Sequence, residues 1–254
     1  MKNSAISSFG IIFSLLLSNL FCQVQLFEQG RSGFVPQGGV VISPNVQQWQ
    51  AGGDYTIDGK FSLRLMYGQS IADTIFPLTN GVYSEVVNDS TINISKTKIL
   101  PYFIKPTLTF ELVEPDKVMP LSFALEASFL FMKGKGDHIT YKFIGLKHKQ
   151  SIISGGPNLG IRLFVGGKGL IVPNIAYNFN YAFEERFVFN VAKNNKHFKS
   201  DLLWHDIKVS SPFNYMFTDM FGIAAFPELL VRIGGKEKFV DLIGTFNVGF
   251  VIRI

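Results

Sequence analysis

Histidine is the side chain whose charge changes near neutral pH, so the four in this chain are the first to weigh for chemistry: His138, His148, His197 and His205. Two stand beside a carboxylate, as Asp137-His138 and His205-Asp206. Adjacent residues on a strand point to opposite faces, so neither pair forms an acid/base dyad without a bend in the chain. A second set is charged and spaced at even intervals within alternating stretches: Lys60, Arg64, Lys105, Arg162, Lys208, Arg232 and Arg253 against Asp54, Glu111, Glu126 and Glu228. A third set is lysine-rich, with Lys133, Lys135, Lys142, Lys147 and Lys149 in one segment and Lys193, Lys196 and Lys199 in another. Clustered ammonium groups can hold phosphates or another anionic ligand by charge, although solvated hairpin extensions are the plainer reading.

These side chains need elements to place them, and the pattern calls for strands. A period of two puts alternate residues on opposite faces. Trp49, Ala51, Gly53, Tyr55 and Ile57 share one face from Gln48 to Ile57, and Asp58-Gly59 then supplies a two-residue hairpin turn in which both positions take positive φ. Phe61, Leu63, Leu65 and Tyr67 return. The unit recurs as Tyr102 to Leu112 with Leu121 to Phe129 across Glu114-Pro115-Asp116-Lys117, as Ile153 to Val165 with Ile171 to Phe183 across Gly166-Gly167-Lys168, and as Ile207 to Phe217 with Phe221 to Ile233 across Thr218-Asp219. Ser154, Asn158, Arg162, Asn174, Asn178 and Asn180 fall on the polar face of the third hairpin. The last stretch places Phe246, Val248, Phe250, Ile252 and Ile254 opposite Thr245, Asn247, Gly249 and Arg253, and a terminal strand this apolar must be paired.

Longer connections alternate with the tight turns: about Gly68 to Lys98, Met132 to Gln150, Glu184 to Trp204, and a shorter Gly234 to Lys238. Adding Phe34 to Ser43 as the first strand gives ten, with both termini on the tight-turn side; eight or twelve strands also suit the pattern. The expected fold is all-β, a closed antiparallel transmembrane β-barrel. Its last strand closes against the first, near Val40 or near Tyr55.

The 254 residues are 47% hydrophobic, yet no apolar run after the N-terminus is long enough for a transmembrane helix. A formal charge of +5 without a recognition motif points to anionic lipid headgroups or sugars before nucleic acid. Residues 1–22, with Lys2 ahead of Ile11 to Leu17, read as a secretory signal peptide, leaving a 23–254 barrel domain. Cleavage after Cys22 would remove the chain's one cysteine, and with it disulfide and thiolate chemistry.

A lipocalin-like soluble barrel shares the period of two with its apolar face inside. Strands of about ten residues, aromatics towards strand ends and a polar face of small residues, Asn and Thr favour apolar-out. The segment Gly53 to Gly68 (GDYTIDGKFSLRLMYG) and the terminal GFVIRI resemble the porin-like outer-membrane β-barrels of Bacteroidetes-type bacteria. That resemblance implies an integral outer-membrane protein of a Gram-negative bacterium, structural or porin-like, with lipids and lipopolysaccharide as surroundings and the barrel-assembly machinery as its partner in biogenesis. The alternative is a ligand-binding or adhesive surface barrel working through its long loops. The Asp-x-His of omptin-like proteases and the His-x-Ser of lipid A deacylases are absent, so neither catalysis nor a cofactor is expected. Lys60, Arg64, Lys105, Glu111, Glu126, Arg162, Lys208, Glu228 and Arg232 are the candidate lumen residues. In a narrow barrel they are expected to pair as a plug, with a weakly anion-selective pore as the alternative.

Overall fold

The computed structural model describes residues 27, 30–42, 47–71, 74–76, 84–87, 90–93, 97–99, 101–113, 120–138, 144–190, 196–233 and 240–254. Ten strands build the wall: β1 Gly33–Ile42, β2 Gln47–Ile57, β3 Phe61–Ser70, β4 Tyr102–Val113, β5 Leu121–His138, β6 Ile144–Ile161, β7 Asn174–Asn190, β8 Lys196–Ser210, β9 Phe221–Ile233 and β10 Val240–Arg253. Each pairs antiparallel with the next, and β10 pairs with β1, with Phe246 opposite Val40 and Ile252 opposite Phe34. The ring is closed, so at the level of the shared ladder no stave offers an open edge. The seam is therefore the one near Val40.

Local chemistry sets the hairpins. Asp58 and Gly59 have φ of 56° and 65°, as a two-residue turn that continues the strand twist requires. Gly166 and Gly167, at 60° and 73°, turn the chain between Leu163–Val165 and Gly169–Ile171, short strands that prolong β6 and lead into β7. Phe213–Met216 likewise prolongs β8, and the Thr218 hydroxyl accepts hydrogen bonds from the backbone of Met220 at 3.3 Å and Phe221 at 3.0 Å. Both ends of the wall meet at this turn rim, where Ile254 N donates to Ser32 O at 3.0 Å. The expected turn at Glu114 to Lys117 and the signal peptide lie outside the described residues.

The other rim is lopsided. β5, β6, β7 and β8 run 18, 18, 17 and 15 residues, while β1, β2 and β3 run 10, 11 and 10. The difference is roughly 20 Å along the strand. Two expected loops, Met132 to Gln150 and Glu184 to Trp204, are thus mostly strand. The ladder runs on through Lys133 opposite Lys149, Lys135 opposite Lys147 and Phe187 opposite His197. Backbone hydrogen bonds carry these strands beyond the level where an apolar face marks them. Within the Gly68 to Lys98 connection, Thr97–Ile99 pairs with both Thr74–Phe76 and β5, and Ser84–Val87 forms a separate hairpin with Ser90–Asn93.

Side chains sort by parity. Outward residues such as Leu63, Leu108, Leu125, Ile153, Ile175, Leu203 and Val248 are exposed, and Phe250 is 67% exposed while Asn247, three positions away and inward, is 0%. An apolar belt that encircles the molecule far exceeds the patches that soluble monomers expose, and it is the surface of a barrel that spans a membrane. Aromatics flank it: Trp49, Tyr67 and Tyr102 touch in series with ring centroids 5.5 and 6.4 Å apart towards the loop rim, and Tyr215 meets Phe217 at 5.8 Å by the turns. Towards the turns, Pro120 and Pro173 precede β5 and β7, Pro212 separates β8 from Phe213–Met216, and Pro227 lies within β9, each without an N–H for the ladder. Their carbonyls still accept from the backbone N–H groups of Arg162, Ile161, Val172 and Ser211 at 2.8, 3.0, 2.8 and 3.2 Å, so neighbouring staves stay joined there.

Candidate functional site

The inward positions of ten staves converge on a narrow lumen, and what fills it changes along the axis. Through the middle runs charge. Arg64 and Asp54 face each other in register on β3 and β2, joined at 3.0 Å by Arg64 Nη2 and at 3.2 Å by Nε, with Ser62 Oγ also donating to the carboxylate. Arg232 on β9 lies 3.0 Å from Asp206 on β8, which also accepts from Asn180 at 3.0 Å and Trp204 Nε1 at 3.4 Å. The same guanidinium sits 5.2 Å from the centre of the Trp204 ring.

Two further pairs span staves that are not neighbours. Lys208 Nζ on β8 donates to Glu126 on β5 at 3.1 Å, reaching across the lumen past the intervening β6 and β7. Arg162, just beyond β6, donates to Glu111 on β4 at 3.0 Å, past β5. Lys105 is fully buried among them, and Glu228 is buried with neither carboxylate oxygen in a protein hydrogen bond. Among the described residues of this layer, five buried cations, Arg64, Lys105, Arg162, Lys208 and Arg232, thus offset five carboxylates, Asp54, Glu111, Glu126, Asp206 and Glu228; a sixth buried carboxylate, Glu184, lies above it. Near balance is what confinement demands, because an uncompensated charge out of water is costly.

Above this layer, towards the loops, carboxamides predominate, with one imidazole beside the buried carboxylate of Glu184. Gln50 Nε2 donates to Asn247 Oδ1 at 2.8 Å, and His148 Nδ1 lies 3.4 Å from Glu184. Below it, at the turn rim, the lumen is apolar: Val35, Leu170, Val172, Met216, Ala224, Phe226 and Val251 form one buried cluster around Phe27. Phe27 precedes β1 and is only 1% exposed. Gly33 makes room for it, since a Cβ there would collide with the Phe27 ring.

Of the lumen residues expected from sequence, Arg64, Lys105, Glu111, Glu126, Arg162, Lys208, Glu228 and Arg232 are buried inside the barrel, and Lys60 is half-buried at the Asp58-Gly59 turn. Asp206 is a further lumen group that its adjacency to His205 obscures in the sequence; its parity with Lys208 and Ser210 is the available signal. His205 points outward, where its Nδ1 meets the Tyr177 hydroxyl at 2.7 Å, so that adjacent pair splits across the wall. Phe27 and the His148–Glu184 contact were also missed. Lys133, Lys135, Lys147 and Lys149 stand on β5 and β6 facing outward and exposed, a correction to their expected loop setting, and Lys142 lies outside the described residues. Among the described residues, no group of three or more His, Cys, Asp or Glu could hold a metal ion.

Fold and exterior together define an integral membrane β-barrel whose inward side chains are layered along the axis. No protein-family model matches the chain, and no curated protein matches it. Solved structures that it is similar to include the translocator domain of the autotransporter NalP from Neisseria meningitidis, at 8% identity and a TM-score of 0.49, covering 88% of this chain and 87% of that one. The outer membrane protease OmpT from Escherichia coli matches at 8% identity and a TM-score of 0.42, covering 88% and 92%. Ail, the attachment invasion locus protein of Yersinia pestis, matches at 9% identity and a TM-score of 0.33, covering 89% and 99%. The fold assignment rests on the strand pairing above, and nothing about this chain's activity follows from those proteins.

Proposed function

We propose that this chain is an integral outer-membrane protein of a Gram-negative bacterium, exported by its N-terminal segment and folded by the barrel-assembly machinery, whose sealed lumen makes it a structural element of the envelope and not a diffusion channel. The observation that carries this reading is the Lys208–Glu126 pair, which bridges the lumen between staves three apart at 3.1 Å. Arg162–Glu111 and the apolar cluster around Phe27 close the remaining section towards the turns. A solute on this path would have to separate buried ion pairs, a cost of several kcal/mol per uncompensated charge. Short turns face the periplasm in barrels of this kind, which sets the tall β5–β8 wall at the outer leaflet.

Proteoliposome swelling tests the proposal. Vesicles carrying the folded protein should swell in a neutral pentose no faster than protein-free vesicles, and swelling at the rate of a general porin would overturn it. A surface-binding role is the second reading, favoured by the wall of β5 to β8 that rises beyond the level of β1 to β3.

A further inference from the structure

Like charges directly opposite one another on neighbouring strands repel. Here two such pairs are stacked: Lys149 faces Lys133, and Lys147 faces Lys135, across β5 and β6. All four point outward from the wall and are exposed. The rectangle starts two residues beyond Phe131, roughly 7 Å along the strand, and Phe131 shares its row with Ser151 and Phe183. The lysines therefore begin where the apolar wall ends.

β7 and β8 extend the patch. Phe187 stacks on His197 with centroids 4.0 Å apart, and Lys149 Nζ lies 5.8 Å from the Phe187 ring centre. Among the described residues the carboxylates on this face are Asp137, Glu185 and Asp201. Glu185 is engaged by Lys199 at 3.3 Å and by His197 at 4.0 Å, and Asp201 by the Tyr181 hydroxyl. Positive charge is left in excess directly above an apolar face.

We propose that this lysine rectangle binds the phosphate groups of an outer-leaflet lipid, whose acyl chains lie down the wall along Phe129, Phe131, Ile153 and Phe183. A soluble anion would satisfy the lysines alone; an amphiphile satisfies lysines and apolar wall together. The inference rests on the membrane placement proposed above and is independent of whether the lumen conducts, so swelling and lipid binding fail separately.

The test is lipid retention by the full-length protein in detergent, read by native mass spectrometry, with an acylated glucosamine disaccharide bisphosphate as the probe. Retention should exceed that of phosphatidylcholine by about tenfold. It should fall to the phosphatidylcholine level when Lys133, Lys135, Lys147 and Lys149 are all changed to Gln. The corresponding Arg variant should retain the lipid, since charge is kept, and Lys168→Gln at the turn rim should have no effect. If the fourfold Gln variant does not fold, as judged by heat-modified gel mobility, Lys133→Gln with Lys149→Gln should lower retention about threefold. Unchanged retention in either Gln variant overturns the proposal. So does full displacement of the lipid by tripolyphosphate, which would assign the patch to a soluble polyanion.

Discussion

The proposed seal has two parts: between Glu126 and Lys208 it consists of two full charges 3.1 Å apart, and at the turn rim of the ring of Phe27 among Val35, Phe226 and Val251. The first closure comes from the wall itself, through staves fixed in register by the backbone ladder. The second comes from a residue ahead of β1, held by packing. Charge closure depends on both partners, because removing either leaves the buried charges of the lumen out of balance. Apolar closure loses contact area and leaves a cavity, a smaller and more local loss.

Single substitutions probe that difference. Glu126→Ala removes the carboxylate 3.1 Å from Lys208, puts the buried charge out of balance and should cost about 4 kcal/mol in urea unfolding from lipid vesicles; the double change Glu126→Leu with Lys208→Met should recover most of it. Equal stability of Glu126→Ala and the wild type would break the comparison. Phe27→Ala should cost about 3 kcal/mol by the same measurement, and it should also expose the turn-side mouth to a bulky aqueous quencher of a fluorophore placed at Met216. No change in either signal would show that the mouth is closed by something else. Phe250→Arg sets arginine against lipid and should cost about 2 kcal/mol, against a negligible change for Phe250→Leu. Smallest is Lys199→Ala, which breaks an exposed pair on the tall wall and should shift stability by about 0.5 kcal/mol or less; a loss rivalling that of Glu126→Ala would erase the contrast between buried and surface charge.

Much of the wall was legible in the sequence because lipid on one side and a polar lumen on the other impose a period of two on every stave. That period placed Leu63 outside and Arg64 inside, and Asp58-Gly59 marked its turn through the demand for positive φ. The strand from Phe34, despite Pro36 and Gly38-Gly39, takes its place as β1 opposite β10. Above the bilayer the signal fails: in Lys133-Gly134-Lys135-Gly136 the outward side chains meet water or headgroups and no longer need to be apolar, so strand reads as loop. Inside, sequence supplied the charges but not their partners. Lys208 meets Glu126 through the tilt and curvature of four staves, which no local pattern records. Phe27 lies outside every alternating stretch, so only its packing reveals it.

Planar-bilayer recording of the folded, full-length protein tests the sealed lumen most directly. With insertion verified by protease protection, the ion pairs and the Phe27 cluster predict a baseline without steady conductance steps. A stable open-state conductance from the wild-type chain would contradict the sealed barrel.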